Sequence, residues 1–278
     1  MITPLAEAPS DGTVTAMAVA YERIADQLRQ SIRAGQLKPG DRLPAEAKLA
    51  EEFGRSVPTV RDALRVLRDE GLIEKQHGRG NFVRRPRTAT VRNNLRHQWE
   101  KNRARRSLEE RARTGATERE TGLDVDDLIF HAAYRETTAD EDLAAAFGLP
   151  EGTPLLARSY RTRCAAESAP FSLVTSYLVR DLIAGNPALL DAANEPWPGG
   201  SQAQLSTVGI EVDRIEERVT ARPPTPEEAE ELELPPGTSV LVLRKTSIDT
   251  RDRIVDVSHV VLPGDRTEML FTTPLERW

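Results

Sequence analysis

Apolar positions in the first third of the chain recur at helical spacing. Tyr21, Ile24, Leu28 and Ile32 predict a helix over residues 21–34. Leu49, Ala50 and Phe53 form a narrow apolar face behind Pro44, whose missing amide proton a first turn tolerates. They predict a helix of about three turns ending at Gly54. Ser56 is a good N-cap for the next helix, Pro58 fits its first turn, and Val60, Leu64 and Leu67 supply its buried stripe. Thr59, Arg61, Asp62, Arg65 and Arg68 fall on the opposite side. After Gly71, residues 72–75 and 81–83 read as strands around the turn His77, Gly78, Arg79 and Gly80.

Two helices joined by a short turn place the second so that its N-terminal turn reaches base edges in a major groove about 12 Å wide. Two glycines let the hairpin tip approach a phosphate backbone, to which Arg79 adds charge. Each piece alone has a plainer reading: a cap with a solvated hydroxyl, a solvated arginine face, an ordinary hairpin. Their order and spacing together predict a winged helix-turn-helix that reads duplex DNA.

The run L-P-A-E-x-x-L-A-x-x-F-G, then S-x-x-T-V-R-x-A-L-x-x-L and H-G-x-G-x-F-V, resembles the N-terminal domain of the GntR family of bacterial transcriptional regulators. The resemblance covers roughly residues 17–86. It implies that Ser56, Thr59 and Arg61 contact the operator, that His77, Gly78 and Arg79 form the wing, and that a homodimer binds a palindromic site. Many relatives carry arginine where this chain has Val57, and some where it has Ala47. Nearby Arg55 and Lys48 are the candidates to take over those contacts. Pro58 and Arg65 complete the expected DNA-facing set.

Charge divides the chain in the same way. Residues 16–86 carry 14 Lys or Arg against 10 Asp or Glu, residues 87–120 carry 10 against 5, and residues 121–278 carry 14 against 27, within a formal net charge of −6. A basic first third on an acidic remainder suits a DNA reader joined to a domain that keeps away from phosphate. At 278 residues two domains are expected, each able to bury a core. No apolar run approaches a membrane span, and the N-terminus, with Glu7 and Asp11, lacks a secretory h-region. The single Cys164 excludes an internal disulfide and fits a reducing cytoplasm; the four histidines form no H-x3-H pair, so no metal or cofactor is expected.

Residues 84–122 are arginine-rich, and residues 95–113 read as one helix of alternating charge. Three readings stand: a solvated linker or swinging helix, a set of phosphate contacts from Arg103, Arg105 and Arg106, or a lid over an effector pocket.

The last part of the chain contains a duplication. Residues 147–153, F-G-L-P-E-G-T, recur 85 positions later at residues 232–238, L-E-L-P-P-G-T. Each copy follows an alternating stretch (128–134; 215–220) and an acidic helix (138–146; 225–231), and precedes two strands (155–163 and 170–179; 240–248 and 253–262). Such a pattern predicts a mixed, largely antiparallel sheet with helices on one side and a central cleft. L-x-L-P-x-G-T before a strand, with Pro263-Gly264-Asp265-Arg266 near the end, is similar to the UTRA effector domain of the HutC-type branch of the GntR family. That resemblance implies a chorismate-lyase-like fold used for small-molecule sensing and dimerisation without catalysis. It places Arg161 and Arg163, on one face with Ser159, at the family's ligand arginines. Thr175 and Tyr177 lie on one face of the next strand, with Ser172 and Ser176 on the other. Asp256 and Ser258 stand where relatives present an acidic or polar contact, and His131 completes the candidate effector set. Several relatives bind phosphorylated sugars, but without a Gly-rich phosphate loop a sugar phosphate is no better supported than a carboxylate, a sugar or a hydrophobic metabolite.

The domain plan is a loose tail over 1–16, a winged helix-turn-helix over 17–86, a basic linker over 87–121 and a UTRA-like effector-binding and dimerisation domain over 122–278, in the α+β class. Two other functions are weighed. A lyase-like enzyme would use His131 as base with Glu217 or Asp256 as partner, but no nucleophile elbow, metal set or P-loop supports it. A DNA-binding protein without a ligand would leave the acidic module without a task. The favoured reading is a ligand-responsive homodimeric repressor.

Overall fold

The computed structural model describes residues 11–276. Residues 1–10 of the tail expected over 1–16 lie outside that range. From Asp11 onward the chain is already helical, in α1 (Asp11–Arg33), which begins upstream of its apolar stripe. Two compact units divide the chain after Arg87.

In the first unit α1 is followed by α2 (Glu46–Glu52) and α3 (Val57–Asp69). At seven residues α2 is shorter than the three turns expected. Pro44 lies outside it, ahead of the cap position Ala45, and the chain leaves the helix at Phe53 before Gly54 turns at φ +59°. Val60, Leu64 and Leu67 are fully buried against Ile24, Leu28 and Leu49, so the apolar stripes of all three helices meet in one core. The wing pairs β1 (Ile73–Gln76) with β2 (Gly80–Val83), antiparallel. Arg42 bridges to Phe82 and the Leu43 amide donates to the Asn81 carbonyl at 2.9 Å, so the segment before α2 lies along the hairpin.

The second unit opens with β3 (Thr90–Asn93), α4 (Arg96–Ala104), α5 (Leu108–Ala112) and α6 (Ala116–Thr121). Then come β4 (Leu128–Thr138), α7 (Glu141–Phe147), β5 (Pro154–Cys164) and β6 (Leu173–Val179). Short α8 (Arg180–Ile183) and α9 (Gly200–Ser206) precede β7 (Val212–Arg222), α10 (Pro226–Glu231), β8 (Val240–Asp249), β9 (Ile254–Pro263) and β10 (Thr267–Leu270).

Six strands form one antiparallel sheet in the order β4-β5-β6-β9-β8-β7, so the two sequence repeats meet at the β6–β9 pair. Helices cover both faces rather than one. Leu143 and Phe147 of α7 pack with Leu155, Val179 and Val257, while Leu205 of α9 and Ile183 pack with Leu156 and Leu178. Leu155 and Leu156 are adjacent in a strand and both buried, so they point into different cores.

Residues 88–121 are not a free linker. β3 pairs in parallel with β10, from Thr90↔Thr267 to Asn93↔Leu270. The single helix expected over 95–113 breaks into α4 and α5 because Ser107 and Glu110 form a capping box that starts a new helix. Arg103 is buried, donates to the Thr114 carbonyl and stacks on Trp99, which Arg119 covers as well. Arg105 pairs with Glu211 at 3.1 Å. Arg103 is thereby withdrawn from any phosphate contact.

An ion network fastens this segment to the sheet. Glu217 of β7 sits 2.7 Å from Arg92 and 3.1 Å from His97 Nε2, and Arg96 bridges Glu100 and Glu120. Burial pushes the Glu217 carboxyl up, but the adjoining His97 ring and the Arg92 charge outweigh it and hold the group down at about 2. A carboxyl depressed from 4.5 to about 2 stabilises the fold fully above pH 4.5 and loses that stabilisation as pH falls towards 2. Glu217→Gln is expected to cost on the order of 2–3 kcal/mol at pH 7 and to flatten the acid limb of a urea-midpoint profile between those values. An unchanged acid limb would show that Glu217 ionises as it does in the unfolded chain.

Candidate DNA-reading surface and buried polar centre

The DNA-facing candidates are set by the first turn of α3. Ser56 caps the helix: its Oγ accepts from the Thr59 amide at 3.4 Å and lies 2.8 Å from Thr59 Oγ1. Thr59 was expected on the outer side and is instead buried. It lies one turn before Ala63 on the edge of the apolar stripe, and its hydroxyl is engaged by Ser56. Ser56, Pro58, Arg61 and Arg65 are exposed, the last three at helical spacing on one outer face. Arg61 Nε donates to Glu46 at 2.6 Å, and Arg65 pairs with Asp62 at 3.2 Å. Such exposed pairs contribute about 0–1 kcal/mol, so either guanidinium can exchange its carboxylate for a base edge or a phosphate. Lys48 lies on α2, 3.9 Å from Glu52, and Arg55 is exposed just after Gly54.

At the wing tip His77, Gly78 and Arg79 are all exposed, and the Arg79 guanidinium lies over the Phe82 ring at 5.5 Å. Gly80 has φ +118°, and a Cβ there would stand 3.2 Å from Arg42 Nε. Arg68, grouped by sequence with the outer arginines, instead reaches back to the buried Asn81 at 3.1 Å and ties α3 to the wing.

In the second unit, register assembles what sequence separates. Tyr134, Arg158, Ser176, Ser258, Lys245 and Glu217 stand side by side, one from each strand, in an unbroken polar row across one face. Asp256, two residues from Ser258 and on the same face, accepts from Ser176 Oγ at 2.7 Å and Ser258 Oγ at 3.0 Å and pairs with Lys245 at 2.9 Å. Burial alone would raise the Asp256 carboxyl; the Lys245 and Arg158 charges lower it.

Arg158 is 1% exposed. It donates to Gln204 Oε1 and to Ser176 Oγ, each at 2.8 Å, and its guanidinium lies 6.0 and 5.6 Å from the rings of Tyr134 and Tyr160. Its Nε is buried with no hydrogen-bond partner. Both phenols and the Gln204 amide turn towards Glu195, whose Oε1 accepts from Tyr134, from Tyr160 at 3.0 Å and from Gln204 Nε2 at 2.8 Å. Burial pushes both tyrosines up; Arg158 opposes this and Glu195 adds to it, so both stay protonated donors at neutral pH. At the other end of the row a cleft of about 410 Å³ opens beside Glu217, between Asn94, His97 and Lys101 on one side and Asp213 and Arg214 on the other.

The expected effector set is therefore split. Asp256 and Ser258 belong to the polar centre, and Ser172 precedes β6 with the parity of Ser176. His131, Arg161, Arg163, Thr175 and Tyr177 have the opposite parity and face the other side of the sheet. Arg161 is held there by Glu231 and by the carbonyls of Tyr160 and Val174, and Arg163 by those of Cys164 and Glu167. Tyr177 meets His259 edge-on at 5.8 Å. The arginine of the polar centre is Arg158, which sequence reading missed. Its signal was position: it alternates with Leu156 and Tyr160, so an apolar or aromatic neighbour stands on either side of it on one face.

A winged helix-turn-helix followed by a duplicated sheet with a buried polar centre defines a transcriptional regulator that couples DNA reading to a sensing domain. Residues 20–83 match the family model for bacterial regulatory proteins of the gntR family, and residues 132–268 match the UTRA domain. The chain thus joins a DNA-reading domain of the gntR family to a UTRA domain. It is 27% identical to an HTH-type transcriptional regulator of Streptomyces coelicolor over 88% of this chain and 89% of that one. It is 29% identical to another from Rhizobium meliloti over 91% and 94%. Over 67 residues, 24% of this chain and 28% of the relative, it is 48% identical to the mannosyl-D-glycerate transport/metabolism system repressor MngR of Escherichia coli. A crystal structure of a GntR-family transcriptional regulator superposes with a TM-score of 0.60 at 26% identity, covering 92% of this chain and 98% of that one.

Asp256 pairs with Lys245 and offsets the charge of the buried Arg158, and its removal takes the central carboxylate from both. Asp256→Ala is expected to lower unfolding free energy by about 3–5 kcal/mol in urea denaturation. A loss below about 1 kcal/mol would mean that the cations find water or another anion.

Proposed function

We propose that this regulator is a repressor that binds a palindromic operator as a homodimer and is released by a small effector held in the polar centre of the UTRA sheet. The observation that carries the sensing half is the buried Arg158 with an unpartnered Nε, among Tyr134, Tyr160, Gln204 and Ser176. A buried arginine held by two polar side chains between two tyrosines makes this enclosure a candidate ligand site. The DNA half is supported by the exposed face of Pro58, Arg61 and Arg65, with Ser56 at its head and the His77–Gly78–Arg79 tip beside Phe82. Lys48 and Arg55 add charge at the adjoining turn. Repression is supported by relatives such as MngR and the histidine utilization repressor of Klebsiella aerogenes, whose likeness to this chain lies in 67 residues each.

The sensing domain works by binding rather than by catalysis. His131, the only base considered for a lyase reading, faces the opposite side of the sheet from both Glu217 and Asp256. Signal leaves the centre along the polar row: Glu217 grips Arg92 and His97, and Gln202 of α9 donates to the His97 carbonyl at 2.9 Å. Residues 88–121 thus connect the row to the chain that enters the DNA-reading unit. An effector that binds the released state more tightly than the DNA-bound state shifts the equilibrium by that difference alone. Among the described residues no helix is long and apolar enough to cross a membrane, and a cytoplasmic repressor fits.

Electrophoretic mobility of the purified protein on DNA from its own upstream region, with a metabolite panel, tests the reading. A specific shift released by one compound supports it; a specific shift unaffected by any compound that binds the UTRA domain overturns the gating. Arg61→Ala is expected to weaken specific binding by about 1–3 kcal/mol, as for a base-reading arginine. Unchanged affinity would remove Arg61 from the interface. Arg79→Ala is expected to weaken binding to all sequences alike and to lower the salt slope by about one. Altered base preference instead would place the wing on base edges.

A further inference from the structure

The donors around Arg158 already hold a carboxylate, and it belongs to the protein. Glu195 Oε1 collects three donors that come from three elements of the scaffold: Tyr134 from β4, Tyr160 from β5 and Gln204 from α9. Gln204 cannot turn away, because its oxygen accepts from Arg158 while its nitrogen donates to Glu195. Glu195 itself comes from the irregular segment between the 3-10 turn Ala192–Asn194 and α9. Its second oxygen accepts only from within that segment, from the Trp197 amide at 2.6 Å. The segment ends at Gly199 and Gly200, both at positive φ (+99° and +68°), where the chain has the backbone freedom to redirect it.

We propose that Glu195 is a built-in competitor: it fills the carboxylate seat of the effector site in the ligand-free protein, and a carboxylate-bearing ligand must displace it to bind. The inference rests on the reading of the polar centre as the effector site and adds the class of ligand. Charge supports it. Arg158 feels the charges of both Asp256 and Glu195, so withdrawing Glu195 removes one negative charge from the centre. One carboxylate restores the balance, whereas a dianion overshoots it. Planarity fits too, since two phenols and an amide converge on a single oxygen and the unused Arg158 Nε stands in the same enclosure. A tethered competitor lowers apparent affinity by the fraction of time the seat is open. Displacement also frees Trp197 and the segment leading into α9, whose Gln202 holds the His97 carbonyl of α4.

Removing the competitor tests this in the full-length protein. Glu195→Ala is expected to melt below the native protein, and sodium acetate or formate, compared with sodium chloride at equal ionic strength, to restore its melting temperature with a saturating dependence. The native protein is expected to need at least ten-fold more acetate for the same shift. Rescue by inorganic phosphate but not by acetate or formate would overturn the carboxylate assignment. Equal response of variant and native protein to every anion would reduce Glu195 to an anchor for its segment. Should Glu195→Ala fail to fold, Glu195→Gln keeps the side chain's size, and acetate is expected to act on it at lower concentration than on the native protein; no difference overturns the proposal. Melting needs no operator, so failure here is separable from failure of the regulator reading, which mobility on DNA reports independently.

Discussion

The second unit depends on a carboxylate that cannot leave. Asp256 sits at the centre of a six-stranded sheet, 1% exposed, where an unpaired charge would cost several kcal/mol. It is tolerated because strands from both repeats bring partners to it: Ser176 from β6, Ser258 beside it on β9, and Lys245 from β8. That requirement fixes register as firmly as the apolar layers do. A one-residue slip of β6 against β9 would turn Ser176 to the wrong face and strand both Asp256 and Arg158. The polar centre is therefore part of the fold as well as the proposed ligand site.

The two units were not equally legible. Helical period, Ser56 as a cap and glycines at a turn are local signals, and they place α3 and the wing from sequence alone. Thr59 was misplaced because a first-turn hydroxyl at the edge of an apolar stripe can point either way; the Ser56 hydroxyl and the packing of Ala63 decide it. In the second unit the duplication set the number of strands and their succession along the chain, but not their order in the sheet, since each copy repeats the same elements. Faces were harder. β5 is buried on both sides at its start, from Leu155 to Arg158, so alternation there has no polar face to betray its phase. Arg161 and Arg163 drew attention as arginines, while Arg158 between apolar neighbours did not.

Residues 88–121 show how composition misleads when charges pair. An arginine-rich stretch suggests solvent or phosphate, yet Arg92, Arg96 and Arg103 are buried against Glu217, Glu100, Glu120 and a carbonyl. Their acidic partners lie in the same segment or more than a hundred residues away, and only the latter were out of reach of a local reading. Ser107-x-x-Glu110, by contrast, was in plain view as a helix start in the middle of an apparent helix.

The polar row reads alike from either end: a serine on each central strand, a cation on each flanking strand, and an oxygen-bearing side chain on each edge strand. Duplication thus left the sheet with two matching half-sites. The half at Tyr134 and Arg158 meets Glu195 of the segment before α9, whereas the half at Lys245 and Glu217 is bound to Arg92 and His97 of the protein's own α4 region. In the proposed sensor one copy receives and its twin transmits, and because they share a single row of neighbouring side chains, a message needs to cross only the width of two strands.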